Sequence, residues 1–203
     1  MTGTIEVPDG DGLSRFLQER HSELRRRMVD EKLDAVVTTS VKSLGYLAGV
    51  WEPGFQWLPN RRGLVVVTAD SVNAIVSSYM EPLLLADSPT IPVSAYYAEG
   101  DTESPWDVLQ KVLGHLLPGS AVGVEMEGLS AKGLERAESA LHGCSVIDIS
   151  GILRRQRLVK DAYELEQIRA IAQICTDASA LAVRDSAVGD QELAFAATIS
   201  EYC

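Results

Sequence analysis

The sequence predicts an α/β fold, a mixed β-sheet flanked by helices and followed by a C-terminal helical segment. Three observations carry this reading. Between residues 13 and 150, short apolar, β-branched runs alternate with stretches of helical periodicity, the pattern of a layered α/β domain. The apolar runs are continuous rather than alternating, as in strands covered on both faces. From Ala162 onward the strand signals stop, and the chain reads as a helix, a turn at Val188–Gly189 and another helix.

Each element has its own local justification. Residues 1–12, acidic and rich in glycine, are expected to form a disordered N-terminus. Leu13–Lys32 shows helical spacing, with Phe16, Leu17, Leu24 and Met28 on one side and a solvated face of Arg25, Arg26, Asp30 and Glu31 on the other. Leu33–Thr39 reads as a buried strand, and "SVKSLGYLAG" as a short helix ending near Gly49. "GLVVVTA" and "VNAIVSS" form two strands around a turn at Asp70–Ser71. "YMEPLLLAD" reads as a short helix and "TIPVSAYY" as an extended segment restrained by Pro92. "SPWDVLQKVLGHLL" opens with Ser104 as N-cap and Pro105 at the first helical position, and stops at Pro118–Gly119. "AVGVEM" is a strand, "SAKGLERAESAL" a helix capped by Ser130, and "CSVIDIS" a strand. "SGILRRQRLVK" reads as a loop with a positively charged stretch, and a domain boundary is expected near Arg155. The expected division is therefore 13–155 for the α/β domain and 156–203 for the helical segment.

The last long helix begins at a capping box in which Asp161 takes the N-cap and Glu164 reaches back. Leu165, Ile168, Ala172 and Cys175 form one apolar stripe, with Ile171, Ile174, Ala178 and Leu181 beside it. So wide an apolar face requires a partner surface, and Cys175 is expected to pack in a core.

Composition narrows the function classes. Asp plus Glu number 29 against 18 Lys plus Arg, a net charge of −11 that repels nucleic-acid backbones and anionic membranes. No apolar run approaches the roughly 20 residues needed to span a bilayer, so a cytoplasmic protein is expected. Three cysteines (Cys144, Cys175, Cys203) without a CxxC pair give poor support for disulfides or structural zinc. His21, His115 and His142 stand singly, without metal-ligand spacing, and read as surface or packing residues. The acidic stretch Ala98–Ser104 reads as a solvated loop. The chain has no GxSxG elbow, no P-loop and no GxGxxG after a strand, so no catalytic residue and no metal ligand is assigned within it.

Five segments in order resemble the creatinase/prolidase/aminopeptidase-P family: "LDAVVTTSVKSLGYLAGV", "NRRGLVVVTADSVNAIVSS", "AVGVEMEGLSAKGLERAESAL", "LRRQRLVKDAYELEQIRAIAQICTDA" and "VGDQEL". The resemblance covers nearly the whole chain from Arg20. Two departures stand out. Asp161 replaces the usual serine, and Gln191 the usual threonine before Glu192, with Asp190 as the alternative cap. The resemblance implies a creatinase-type N-terminal domain, a ribonuclease H-like layer fold, followed by the first helices of a truncated pita-bread catalytic domain. In that family the absent domain carries two Asp, one His and two Glu around a divalent metal pair, or a metal-free site with a catalytic His. On this reading the chain itself holds no cofactor, is inactive alone, and serves a C–N hydrolase acting on a dipeptide or small molecule through homodimer assembly and substrate capping. The apolar helix ending at "ISEYC" reads as a truncated or cleaved terminus.

One segment stands apart. Gly49–Gly63, "GVWEPGFQWLPNRRG", clusters Trp51, Phe55 and Trp57 with prolines, followed by Arg61 and Arg62. Aromatic faces and guanidinium forks suit a small anionic or quaternary-nitrogen ligand. By resemblance, this loop lies where creatinase-like members reach a neighbouring subunit's active site. The same residues also fit plain packing over a sheet end, with both arginines solvated or paired with acids. Two other readings stay open: a non-enzymatic assembly or binding module of the same fold, and a standalone ligand-binding domain using the aromatic loop.

Overall fold

A computed structural model describes residues 10–49, 63–78, 91–96, 104–116 and 118–202. Its elements are α1 (Gly10–Asp30), β1 (Ala35–Thr38), α2 (Val41–Ala48), β2 (Leu64–Thr68), β3 (Val72–Ser77), β4 (Val93–Tyr96), α3 (Pro105–Val112), β5 (Ala121–Val124), α4 (Ala131–Ala140), β6 (Ser145–Asp148), α5 (Ser150–Leu158), α6 (Ala162–Asp185) and α7 (Glu192–Tyr202). The expected helix at 79–87 and the acidic stretch up to residue 103 lie outside the described residues.

The six strands form one mixed sheet in the order β4-β3-β2-β1-β5-β6. β2 runs antiparallel to both β1 and β3, while β3–β4, β1–β5 and β5–β6 are parallel pairs. Strand pleating explains the two-layer core. Val36, Val65, Val67, Ala74 and Val76 face α1, α2 and α5, where they meet Leu24, Met28, Leu44, Leu47, Ile152 and Leu153. Their neighbours Ala35, Val37, Leu64, Val66 and Ile75 face the opposite way, toward Trp106 and Leu109 of α3 and Ala137 of α4. The continuous apolar runs of β1 and β2 thus mean coverage on both faces. The edge strand β6 departs from this rule, since Ser145, Ile147 and Asp148 are exposed.

Helix α1 opens at Gly10, ahead of the expected start at Leu13. Its buried stripe is Leu17, Arg20, His21, Leu24 and Met28, so two polar residues share the apolar face. Arg25, expected to be solvated, instead donates from Nε to the Thr68 carbonyl at 2.9 Å. Helix α3 ends at Val112, well short of Pro118, and the chain continues in turns through Leu116. Gly114 supplies the reason, because a glycine inside a helix loses more backbone entropy than any other residue.

The stretch expected to be a loop at Ser150 is helical. Asp148 Oδ1 accepts the Ser150 N–H at 2.9 Å and its hydroxyl at 2.6 Å, which ends β6 and turns the chain into α5. Ile149, Ile152, Leu153 and Gln156 then recur at helical spacing, and all four are buried. The fourth position of that stripe is a glutamine, which hides the periodicity in a sequence crowded with arginines.

The chain divides into two compact units between Val159 and Lys160. In the second unit the capping box is present: Asp161 Oδ1 accepts the Glu164 N–H at 2.7 Å, and Glu164 Oε2 accepts the Asp161 N–H at 3.1 Å. Asp190 does not cap α7; its carboxylate turns back to the Ala187 N–H at 2.7 Å. Helix α7 is about 16 Å long and α6 about 36 Å, from 1.5 Å per residue, so α7 shields only part of α6. Ala178 and Ala182 are buried on α6, while Leu165, Ile168 and Ile171 are 39%, 49% and 59% exposed. Cys175 lies on this uncovered stretch as an exposed free thiol, not in a core.

Candidate functional site

The densest polar cluster among the described residues forms where β1 and β5, parallel neighbours, end side by side. β1 leads through Thr39 and Ser40 into α2, and β5 leads into Glu125. Glu125 is only 4% exposed. Its Oε2 accepts the backbone N–H groups of Thr39 at 2.9 Å and Ser40 at 3.0 Å. Its Oε1 accepts the hydroxyls of Ser40 at 2.9 Å and Ser43 at 2.8 Å. The Glu125 carbonyl takes the Thr39 hydroxyl at 2.6 Å. Arg157 of α5 donates from Nη1 to Ser43 Oγ at 3.1 Å.

The physics of this arrangement is compensation. Burying a carboxylate is costly unless its lone pairs are satisfied, and here four donors meet two oxygens. The N-terminus of α2, with its free N–H groups and partial positive charge, is where an anion is most stable. Both serine hydroxyls are committed to the carboxylate, so they form a clamp rather than a nucleophile–base pair. The cluster ties β1, α2, β5 and α5 together.

The far end of α2 is held by a second set of contacts. Arg20 Nη1 donates to the Tyr46 carbonyl at 3.0 Å, and its guanidinium carbon lies 4.4 Å from the centre of the Tyr46 ring. His21 Nε2 bonds the Leu47 carbonyl at 2.6 Å, which makes Nε2 the protonated nitrogen. Gln156 Nε2 donates to the Arg20 carbonyl at 2.9 Å. The Arg20 and His21 donors meet carbonyls of the last turn of α2, which the helix itself leaves unpaired.

Burial is the main cause that lowers the His21 pKa below its ordinary value of 6.5; the Leu47 carbonyl opposes it, and Arg25 and Arg20 reinforce it. The folded chain therefore resists a proton that the unfolded chain accepts near pH 6.5. The stabilisation is full above that pH and declines as the pH falls toward the depressed folded pKa, by at most about 1.4 kcal/mol per pH unit. Urea midpoints followed from pH 7 to 5 are expected to show this decline in the wild type and to lose it in His21→Gln. Equal slopes in the two proteins would remove His21 as the cause.

The predicted ligand-contacting residues Trp51, Phe55, Trp57, Arg61 and Arg62 lie outside the described residues. Gly49 and Gly63, which flank them, are described and packed on α1 and α2. None of Glu125, Ser40, Ser43, Arg157, Arg20 or His21 was singled out as a site by sequence reasoning. The available signal was a lone carboxylate directly after an apolar strand, "VGVE", paired with a hydroxyl run after another, "TTS". Of the other histidines, His115 and His142 are exposed. Among the described residues no three His, Cys, Asp or Glu side chains converge so as to hold a metal ion. No helix among them is long and apolar enough to cross a membrane.

Comparison with known proteins bears on all of this. Residues 20–159 match the model of the creatinase/prolidase N-terminal domain family. The chain belongs to this family. The creatinase/prolidase N-terminal fold also appears among solved structures. An X-Pro aminopeptidase from Thermotoga maritima MSB8 is 20% identical, with a TM-score of 0.74 over 90% of this chain and 48% of the other. The prolidase from Pyrococcus horikoshii OT3 is 18% identical, with a TM-score of 0.69 over 91% of this chain and 48% of that one. The creatinase/prolidase N-terminal domain of an X-Pro dipeptidase from Streptococcus pyogenes is 14% identical, with a TM-score of 0.54 over 67% of this chain and 97% of its own. At such identities the likeness establishes the fold: a mixed six-stranded sheet with flanking helices. This creatinase/prolidase-type chain spans about half the length of the Thermotoga and Pyrococcus enzymes it matches.

Proposed function

We propose that this chain supplies the N-terminal, non-catalytic domain of a creatinase/Xaa-Pro-peptidase-like C–N hydrolase and serves homodimer assembly and substrate capping. The observation that carries the reading is the family match over residues 20–159 in a chain that spans about half of the X-Pro aminopeptidase and prolidase structures it resembles. The substrate class is an Xaa-Pro dipeptide or a small amino-acid derivative. Capping falls to Trp51, Phe55, Trp57, Arg61 and Arg62, whose aromatic faces and guanidinium forks suit a small charged molecule. The exposed apolar stripe Leu165, Ile168 and Ile171 supports a partner surface beyond the chain itself, since contiguous apolar patches rarely stay bare. The described residues do not fit a divalent metal pair, and Glu125 is already saturated with donors. In this proposal a divalent metal pair, where the enzyme uses one, is held by other residues than these, and none of the roles assigned to this domain passes through it.

The test begins with the intact mass of the natural polypeptide, expected near twice the 22.0 kDa of this chain. The isolated chain is expected to turn over neither Xaa-Pro dipeptides nor creatine with added manganese or cobalt, while the intact protein does. In the intact protein, Trp57→Ala and Arg61→Ala are expected to raise KM by about 10-fold each, the effect of losing about 1.4 kcal/mol of binding, with kcat little changed. Unchanged KM in both variants would refute substrate capping. A natural mass of 22.0 kDa would replace the hydrolase reading with that of a self-standing assembly or binding module of the same fold.

A further inference from the structure

The sheet ends on one side at β6, and that edge is open. Strand β6 pairs with β5 alone, in parallel register. The Ser145 N–H reaches the Ser120 carbonyl at 2.8 Å, and the Ile149 N–H reaches the Val124 carbonyl at 3.0 Å. Backbone groups alternate in direction along a strand, so Ser145, Ile147 and Ile149 turn theirs toward β5. Val146 and Asp148 turn theirs outward, where these N–H and carbonyl groups meet no backbone partner among the described residues. Between them stands Ile147, 40% exposed. Its neighbour on β5 is Gly123, which offers no side chain to cover it. Folded chains blunt such edges with lysine, proline, a bulge or a covering element. β6 reads Ser-Val-Ile-Asp and carries neither lysine nor proline. Its one charge is turned back into its own chain: Asp148 Oδ1 accepts the Ser150 N–H at 2.9 Å, the Ser150 hydroxyl at 2.6 Å and the Met126 N–H at 3.3 Å.

We infer that β6 is a self-pairing edge: a second copy of this chain, turned by half a revolution about Ile147, adds its own β6 in antiparallel register and continues the sheet across both copies. This pairing rests on the homodimer assembly proposed above and gives it a surface. The register follows from the outward groups. Val146 and Asp148 lie one residue to either side of Ile147, so the half-turn sets Val146 of each copy opposite Asp148 of the other. Each such pair exchanges two N–H to carbonyl bonds. Ile147 falls on the axis at a non-hydrogen-bonded position, where facing side chains come closest, and each isoleucine covers the other. The symmetry is that of the commonest closed dimer. Charge permits the approach even in a chain of net charge −11. The edge presents neutral backbone and one isoleucine, while each Asp148 stays with its own Ser150 and Met126, in the field of Arg154. A four-residue strand buries less than the about 800 Å² per partner of a standard interface, so the dimer is weak, with a Kd of about 10 µM to 1 mM.

The test uses the full 203-residue chain. Sedimentation velocity over about 10 µM to 1 mM is expected to show a monomer–dimer equilibrium. Val146→Pro removes an outward N–H that β5 does not use, a position where an edge strand accepts proline. It is expected to raise Kd by at least about 10-fold, through the loss of two of the four cross-copy bonds, with the circular dichroism spectrum kept. A cross-link gives a readout that does not depend on how that variant folds. With Cys144, Cys175 and Cys203 replaced by alanine, Ile147→Cys is expected to form a disulfide dimer on mild oxidation, because the axis brings the two thiols within bonding reach. Ser145→Cys, on the same side of the strand, lies two residues from the axis, too far from its own copy, and is expected not to link. A dimer whose Kd is unchanged in Val146→Pro, or an Ile147→Cys chain that links no faster than Ser145→Cys, overturns the β6 pairing and leaves homodimer assembly standing on another surface. Loss of the dimer in Ile168→Lys, beside wild-type association in Val146→Pro, overturns it too and places the contact on the exposed stripe of α6. A chain that stays monomeric to about 1 mM refutes homodimer assembly by this chain and the β6 pairing with it.

Discussion

Substituting valine for Gly123 will lower the unfolding free energy by about 3 kcal/mol, the upper end of the usual cost of overpacking a core. Gly123 sits in the middle of β5, between β1 and β6, with its Cα against the side chain of Ile149. A Cβ there would lie 2.5 Å from Ile149 Cγ2 and 3.1 Å from Leu33 Cδ1, closer than carbon atoms pack. Ile149 is 1% exposed and cannot swing into solvent, so the strand or the helix that follows must move. The measurement is a urea titration followed by circular dichroism. The decisive comparison is a double-mutant cycle. Ile149→Ala alone will destabilise, yet adding it to Gly123→Val will cost much less than in the wild type, because it removes the γ carbons that clash. Additive losses would show that the clash is relieved elsewhere.

The second large effect is expected at Leu153. Truncation to alanine will cost about 2–5 kcal/mol, the range for a buried leucine whose site cannot fully collapse. Leu153 belongs to α5 and packs with Leu24, Met28 and Val36 in the core between α1, α2 and the sheet. Leu158→Ala is the control. Leu158 is 71% exposed on the same helix, and its truncation is expected to stay within about 0.5 kcal/mol. Similar losses for the two variants would mean that α5 does not dock by the face assigned to it. A match to the predicted contrast would place α5 inside the α/β unit, consistent with a division of the chain after Val159.

Much of the fold is legible in the sequence. β1, β2 and β3 declare themselves as β-branched runs that no amphipathic helix would tolerate, and burial on both faces follows from the same composition. The turn at Asp70–Ser71 is closed by Thr68, whose N–H reaches the Ser71 carbonyl at 2.9 Å. Three helix starts can be read from single side chains, at Ser104, Ser130 and Asp161. Ser130 Oγ accepts the Gly133 N–H at 3.1 Å, and Asp161 with Glu164 closes the capping box. At Ser104 the helix is marked by Pro105 and by the Asp107 carboxylate, which takes the Ser104 N–H at 2.7 Å. Such signals are local, carried by residues three or four apart.

The polar clamp around α2 is not legible there, and the reason is distance along the chain. Glu125 meets Thr39 and Ser40, Arg20 meets Tyr46, and Gln156 meets Arg20, each across 26 to 136 residues. Read singly, Arg20 looks like a solvated cation, His21 a surface imidazole and Gln156 a break in an apolar stripe. The sheet order, which sets β5 beside β1, brings Glu125 to the start of α2, and the meeting of α1, α2 and α5 brings Arg20, His21 and Gln156 to one another and to its last turn. The long helix shows the same split from the other side. Its apolar stripe and its need for a partner are plain in the sequence, but which part stays bare is not. Helix α7 is too short to cover α6, so Leu165, Ile168, Ile171 and Cys175 remain exposed while Ala178 and Ala182 are buried. The sequence by itself determined where the buried strands β1, β2 and β3 lie, where the helices at Ser104, Ser130 and Asp161 start, and that one helix face seeks a partner, because propensity, capping and periodicity act over a few residues. Only the tertiary structure decided which carboxylate lies buried, which helix it anchors and which thiol meets solvent, because burial and hydrogen-bond satisfaction depend on segments that the chain brings together from far apart.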